Sequence, residues 1–96
     1  MPAIRVRTRI TMQQKKKYRY PYLRIPAALK PYVAGRRFNV KVADGKVIYV
    51  LDENGEYKPV RYGNSLYIRF PLDVKESEAD IIPIDNGFVV VVLRKH

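Results

Sequence analysis

The side chains able to do chemistry in this sequence are overwhelmingly cationic. Nineteen Lys and Arg stand against nine Asp and Glu, a formal charge of +10, and the signs are segregated: residues 1–43 carry twelve cations and no acid, while residues 44–96 carry seven cations and all nine acids. A stretch at +12 draws polyanions, because each Lys or Arg that meets a phosphate releases condensed counterions. Within it Arg5, Arg7 and Arg9 recur at every second position, and Lys15, Lys16, Lys17 and Arg19 crowd into a short polar run. Both sets suit phosphate better than base edges. Tyr18, Tyr20 and Tyr22 interleave with Arg19, a spacing compatible with base stacking, although tyrosine is also an ordinary strand residue. Covalent catalysis finds few tools: there is no cysteine, the single histidine is His96, and the acids fall mostly at turns, where they cap or solvate. The loose set Asp44, Asp52, Glu53 and Asp85 is a poor candidate for metal-assisted hydrolysis. The chain reads as a binding protein and not an enzyme, with no metal, cofactor or small-molecule substrate.

These residues need elements to hold them. Ninety-six residues, 47% hydrophobic and 29% charged, suffice for one small domain. No apolar run reaches the 18 or so residues of a membrane span, and the segment Met1 to Arg7 lacks the apolar core of a signal peptide, so a soluble, cytoplasmic protein is expected. Ile4, Val6, Ile10 and Met12 alternate with Arg5, Arg7, Arg9 and Thr11, which predicts a half-buried strand from Ala3 to Met12. Gln13 to Lys17 reads as a basic loop. Tyr18 to Ile25 reads as a strand whose Pro21 favours an edge or turn position. Pro26 to Lys30 begins a helical segment that Pro31 and Gly35 limit to one or two turns. Phe38 to Val42, Asp44-Gly45 and Lys46 to Leu51 predict a hairpin. Turns at Asp52 to Gly55 and Gly63 to Ser65 bracket a strand from Tyr57 to Tyr62; Leu66 to Phe70 is the next strand, Pro71 to Val74 a stunted helix, and Ile81 to Leu93 a hairpin around Asn86-Gly87. The fold class is mostly β with two short helical turns. Phe38, Val40, Val42, Val47, Ile81, Ile82, Val89 and Val91 are expected in the core or sheet.

The order of these elements occurs twice. Leu23-Arg24-Ile25-Pro26 matches Ile68-Arg69-Phe70-Pro71 at an offset of 45, and the stretch Gly45 to Leu51 matches Gly87 to Leu93 at an offset of 42; the three-residue difference falls in the helical segment. Repeat one covers roughly residues 3–52 and repeat two roughly 56–95. Neither unit is large enough to bury its own strands, so the two must share one core.

At this point the residues resemble the swapped-hairpin DNA-binding domains of AbrB-like transition-state regulators and MazE-like antitoxins. The run Arg61-Tyr62-Gly63-Asn64-Ser65-Leu66-Tyr67-Ile68-Arg69-Phe70-Pro71 looks like the MazE-type Arg-Trp-Gly-Asn-Ser-x-x-(Val/Ile)-Arg-Ile-Pro stretch. The first unit is similar through Leu23 to Pro26, Leu29 and Ala34-Gly35, but has Tyr18-Arg19-Tyr20-Pro21 in place of Gly-Asn-Ser and Arg36 in place of an acid. The resemblance implies a swapped-hairpin barrel, here built from two tandem repeats in one chain, and duplex DNA contact through Arg61, Asn64, Ser65 and Arg69, with Arg24 equivalent to Arg69. It is chemically sensible: arginine forks onto guanine edges or phosphate, asparagine pairs with adenine, and serine or turn amides hold phosphate. A pairing of Arg24 and Arg69 with nearby acids, and a purely solvated role for the charge of Lys15 to Lys17 or of an edge strand bearing Arg5, Arg7 and Arg9, are the structural alternatives. The expected protein is a DNA-binding transcriptional regulator, acting as a monomeric pseudo-dimer or a homodimer. The competing classes are a nonspecific nucleic-acid coat and an antitoxin, the last disfavoured because the chain stops three residues after its final strand, with no acidic tail.

Overall fold

Period-two patterning becomes strand almost wherever it occurs. The computed structural model describes residues 4–15 and 18–93. Its elements in chain order are β1 (Val6–Lys15), β2 (Tyr18–Ile25), a 3-10 turn (Ala27–Leu29) running into the four-residue helix α1 (Lys30–Val33), β3 (Phe38–Ala43), β4 (Lys46–Leu51), β5 (Val60–Tyr62), β6 (Ser65–Arg69), β7 (Ser77–Ile84) and β8 (Gly87–Leu93). All strands pair antiparallel in one curled, half-barrel sheet of order β3-β4-β8-β7-β1-β2-β6-β5. Among the described residues no helix is long and apolar enough to cross a membrane.

The hairpin predicted at Asp44-Gly45 is present, with both residues at positive φ, 51° and 74°, the type I′ geometry whose twist matches the flanking strands. Several expectations are corrected. Gln13 to Lys15 is not loop but the end of β1, paired with β2 as far as Lys15–Tyr18; Lys16 and Lys17 lie outside the described residues. Pro21 does not sit on an edge: β2 is flanked by β1 and β6. The ring is tolerated because it stands where pairing with β6 stops, and the Pro21 carbonyl accepts from Phe70 N at 2.9 Å. The strand expected from Tyr57 shrinks to Val60–Tyr62, and Tyr57 makes only a two-bond bridge to Phe38. Pro71 to Val74 bends without forming a helix. The β6–β7 connection, residues 70–76, is seven residues long against twelve, residues 26–37, between β2 and β3.

Two pairings place equivalent residues of the repeats against each other. Leu23 faces Ile68 between β2 and β6, and Tyr22–Arg69 is matched by Arg24–Tyr67. Between β4 and β8, Val47–Val90 is matched by Ile48–Val89. The inner face joins Ile10, Leu23, Ile25, Leu66, Ile68, Ile81 and Val90 to Phe38, Tyr49, Phe70 and Phe88, all at most 5% exposed. Each such side chain removed from water contributes about 1.5–3 kcal/mol. The helical segment adds Leu29 and Val33. Of the residues expected in the core or sheet, Val42 lies in the sheet, 52% exposed near the end of edge strand β3.

Candidate nucleic-acid interface

The β5–β6 connection is a two-residue turn, Gly63-Asn64, with Tyr62 opposite Ser65. Gly63 takes φ 57°, a left-handed conformation that glycine adopts without a Cβ penalty. The turn is tied to the helical segment: Lys30 Nζ donates to the Asn64 carbonyl at 2.5 Å, leaving two ammonium protons for other acceptors. On one side of this link Arg61, Asn64, Ser65 and Ala34 line a cleft of about 300 Å³. On the other, Asn64, Ser65, Arg9, Arg24 and the helix-start residues Pro26 and Ala27 line one of about 190 Å³. No acid lines either cleft. Their walls gather cations from β1, β2, β5 and α1, residues more than 50 positions apart in sequence.

Arg24 and Arg69 lie on the outward face of the sheet, between the buried positions Leu23, Ile25 and Ile68, and both are exposed. Neither pairs with an acid among the described residues. The Arg69 guanidinium carbon stands 4.7 Å from the centroid of the Tyr20 ring, a cation–π contact, and Tyr18 lies 6.1 Å from Tyr20. Their main chains are fixed from elsewhere. Tyr49 Oη donates to the Arg69 carbonyl at 2.7 Å, and Thr8 Oγ1 donates to the Arg24 carbonyl at 2.6 Å.

The β1 arginines divide. Register sets Arg7 opposite Asp80 and Arg9 opposite Glu78 on β7, so β1 is an interior strand and not the edge that its charges suggested. Arg7 Nε donates to Asp80 Oδ1 at 2.7 Å, Arg5 Nε lies 3.2 Å from Asp80 Oδ2, and Arg7 Nη1 lies 3.4 Å from Glu78 Oε2. Asp80 is only 7% exposed. Its hydrogen bond, then its charge, hold the Arg7 guanidinium more firmly protonated than usual. Arg9 makes no ion pair among the described residues, and it and Arg7 both line the smaller cleft.

Of the motif residues, Asn64 and Ser65 line both clefts, Arg61 lines only the larger and Arg24 only the smaller, and Arg69 shares the outward face with Arg24. Arg61, opposite Leu66, occupies the other face of the sheet from Arg69, on the helical side. Arg19 is exposed at the far end of β2 and lines neither cleft. Lys15 closes β1 beside it, and Lys16 and Lys17 lie outside the described residues. Sequence reasoning missed Lys30, although a lysine, Lys75, recurs at the equivalent place 45 residues on. Comparison with protein-family models, with curated proteins and with solved structures gave no match to this chain.

Proposed function

We propose that this chain is a sequence-preferring double-stranded DNA-binding protein, a cytoplasmic transcriptional regulator in which two unequal AbrB- or MazE-like repeats interlock their hairpins as a pseudo-symmetric pair. The strand order supports this architecture: each half of the sheet takes one hairpin from each repeat, β3-β4 beside β8-β7 and β1-β2 beside β6-β5, and each junction pairs equivalent strands. One observation carries the function. The residues that the motif singles out, Arg24, Arg61, Asn64 and Ser65, line adjoining clefts that hold cations and neutral donors and no acid. A phosphate seated there meets charge-assisted hydrogen bonds, which fix register on a duplex, while the outward arginines beside it have the length and fork to read guanine edges.

The test is selection of bound duplexes from a random-sequence pool at about 150 mM salt, where phosphate-only binding is weakened. An enriched asymmetric motif is expected, because the two repeats differ at their contact positions. Binding without enrichment would replace the regulator by a nonspecific coat, and absence of duplex binding would overturn the duplex-DNA reading.

A further inference from the structure

Arg24 and Arg69 occupy equivalent places in the two repeats, and each stands opposite the equivalent tyrosine of the other: Arg24 against Tyr67, Arg69 against Tyr22. Arg24 lines the smaller cleft and Arg69 lines neither, and a second difference lies beside the guanidinium itself. Two residues before Tyr22 is Tyr20, which lies under the Arg69 guanidinium at 4.7 Å. Two residues before Tyr67 is Ser65, whose side chain has no ring to offer Arg24. Tyr20 is itself half-buried, with the exposed Tyr18 ring tilted beside it at 6.1 Å. Both arginine main chains are pinned, by Tyr49 and by Thr8, so the difference lies in the side chains. The Arg69 guanidinium rests over a ring; the Arg24 guanidinium has no hydrogen bond, ion pair or ring contact among the described residues.

Stacking occupies one face of a guanidinium and leaves its in-plane N–H fork free. A fork held in place loses less freedom when it engages the two acceptors of a guanine edge, whereas an unrestrained one suits phosphate, where geometry is less demanding. We infer that Tyr20 is the positioning residue that makes Arg69 the base-reading arginine, and that Ser65 leaves Arg24 a backbone contact, so that the chain recognises a duplex whose strongly specified guanine lies in one half-site. This inference rests on the DNA-binding reading above.

The experiment compares the unmodified chain with Tyr20→Ser, Tyr20→Phe and Ser65→Tyr in two readouts. The first needs no DNA: the NMR signal of the Arg69 Nε proton, shifted by the Tyr20 ring current, is expected to move in Tyr20→Ser and to stay in Tyr20→Phe, and Ser65→Tyr is expected to shift the Arg24 signal. The second is the affinity ratio between the selected duplex and the same duplex with its specified G·C pair replaced. That ratio is expected to fall about tenfold in Tyr20→Ser, with affinity for random duplex kept within twofold, and to survive in Tyr20→Phe; Ser65→Tyr is expected to add a second specified pair. An Arg69 signal indifferent to Tyr20→Ser overturns the positioning. A moved signal with an unchanged ratio overturns the specificity role, as does loss of the ratio in Tyr20→Phe equal to that in Tyr20→Ser. An unmodified chain that enriches no motif overturns the regulator reading instead, and the NMR arm still reports the stacking.

Discussion

The hydroxyl of Tyr49 is where the core touches the proposed interface. Its ring is fully buried, stacked on Phe88 at 4.6 Å and edge-on to Phe38 and Tyr57, while its Oη holds the carbonyl of Arg69. Tyr49→Phe keeps the packing and removes only the donor, leaving that carbonyl short of a partner, so a loss of about 1–2 kcal/mol is expected. A denaturant titration measures it, with an unchanged m-value marking a pure stability effect. Burial, and secondarily the charge of Tyr57, also push the Tyr49 phenol well above its usual range. The sign follows: the folded state keeps this proton after the unfolded chain has released it, so the stabilisation is whole below about pH 10 and declines as pH rises beyond, by about 1.4 kcal/mol per unit until the folded group titrates. A Tyr49→Phe chain lacks this contribution, and its stability should fall less steeply above pH 10. Equal slopes for the two chains would show that the phenol ionises as readily folded as unfolded.

At the scale of elements, β1 is fastened to β7 by Asp80, which engages both Arg5 and Arg7. Asp80→Asn removes the shared anion and frees two exposed arginines. A loss of about 1.5–3 kcal/mol in stability is expected from the charged hydrogen bond, and nonspecific duplex binding should strengthen, with the slope of log affinity against log salt steeper by up to about two. Anisotropy titrations at several salt concentrations read the slope; an unchanged value places Arg5 and Arg7 outside the DNA-facing surface. This fastening was not legible in the sequence, because Arg7 and Asp80 are 73 positions apart and only the β1–β7 register brings them together. Local signals did better. The Asp44-Gly45 and Gly63-Asn64 turns each fix a hairpin, and Leu23 to Pro26 and its counterpart Ile68 to Pro71 were each legible as the end of a strand, although their pairing with each other was not. Failures came where neighbours outweighed propensity: Pro71 to Val74 has helix-starting residues but bends without forming a helix in the shorter of the two connections, and Pro21 enters an interior strand because its missing N–H falls where the β2–β6 ladder ends. For the site, charge located the basic faces, but which cations are free and which are paired depends on tertiary register.

For the whole molecule the question is how the two repeats close on each other. The eight residues between β4 and β5 fold back onto the start of β3: Asp52 N donates to the Arg37 carbonyl at 3.0 Å, Gly55 N to the Asp52 carbonyl at 2.9 Å, and Phe38 and Tyr57 exchange two backbone bonds at 2.8 and 3.0 Å. Gly55 packs so closely on this bridge that a Cβ there would overlap the Phe38 backbone. The connection is a pinned return and not an extended arm, so the hairpins of repeat two reach those of repeat one within the same chain. Exchange between chains would have to break the bridge and straighten the turn. The expected solution mass is therefore 11.2 kDa at every concentration, measured by sedimentation or light scattering over a hundredfold dilution. Gly55→Ala is expected to destabilise the bridge and to raise the fraction at twice that mass. The two states differ in what they recognise. On the proposed function, a closed single chain, with one Arg24 and one Arg69 about its internal axis, is expected to select an asymmetric duplex, whereas two chains with exchanged hairpins, with identical halves about a true two-fold, are expected to select a palindrome. A mass of twice 11.2 kDa for the unmodified chain, joined to a palindromic motif, would assign the swap to the pair of chains and leave the residue contacts of each half as they stand.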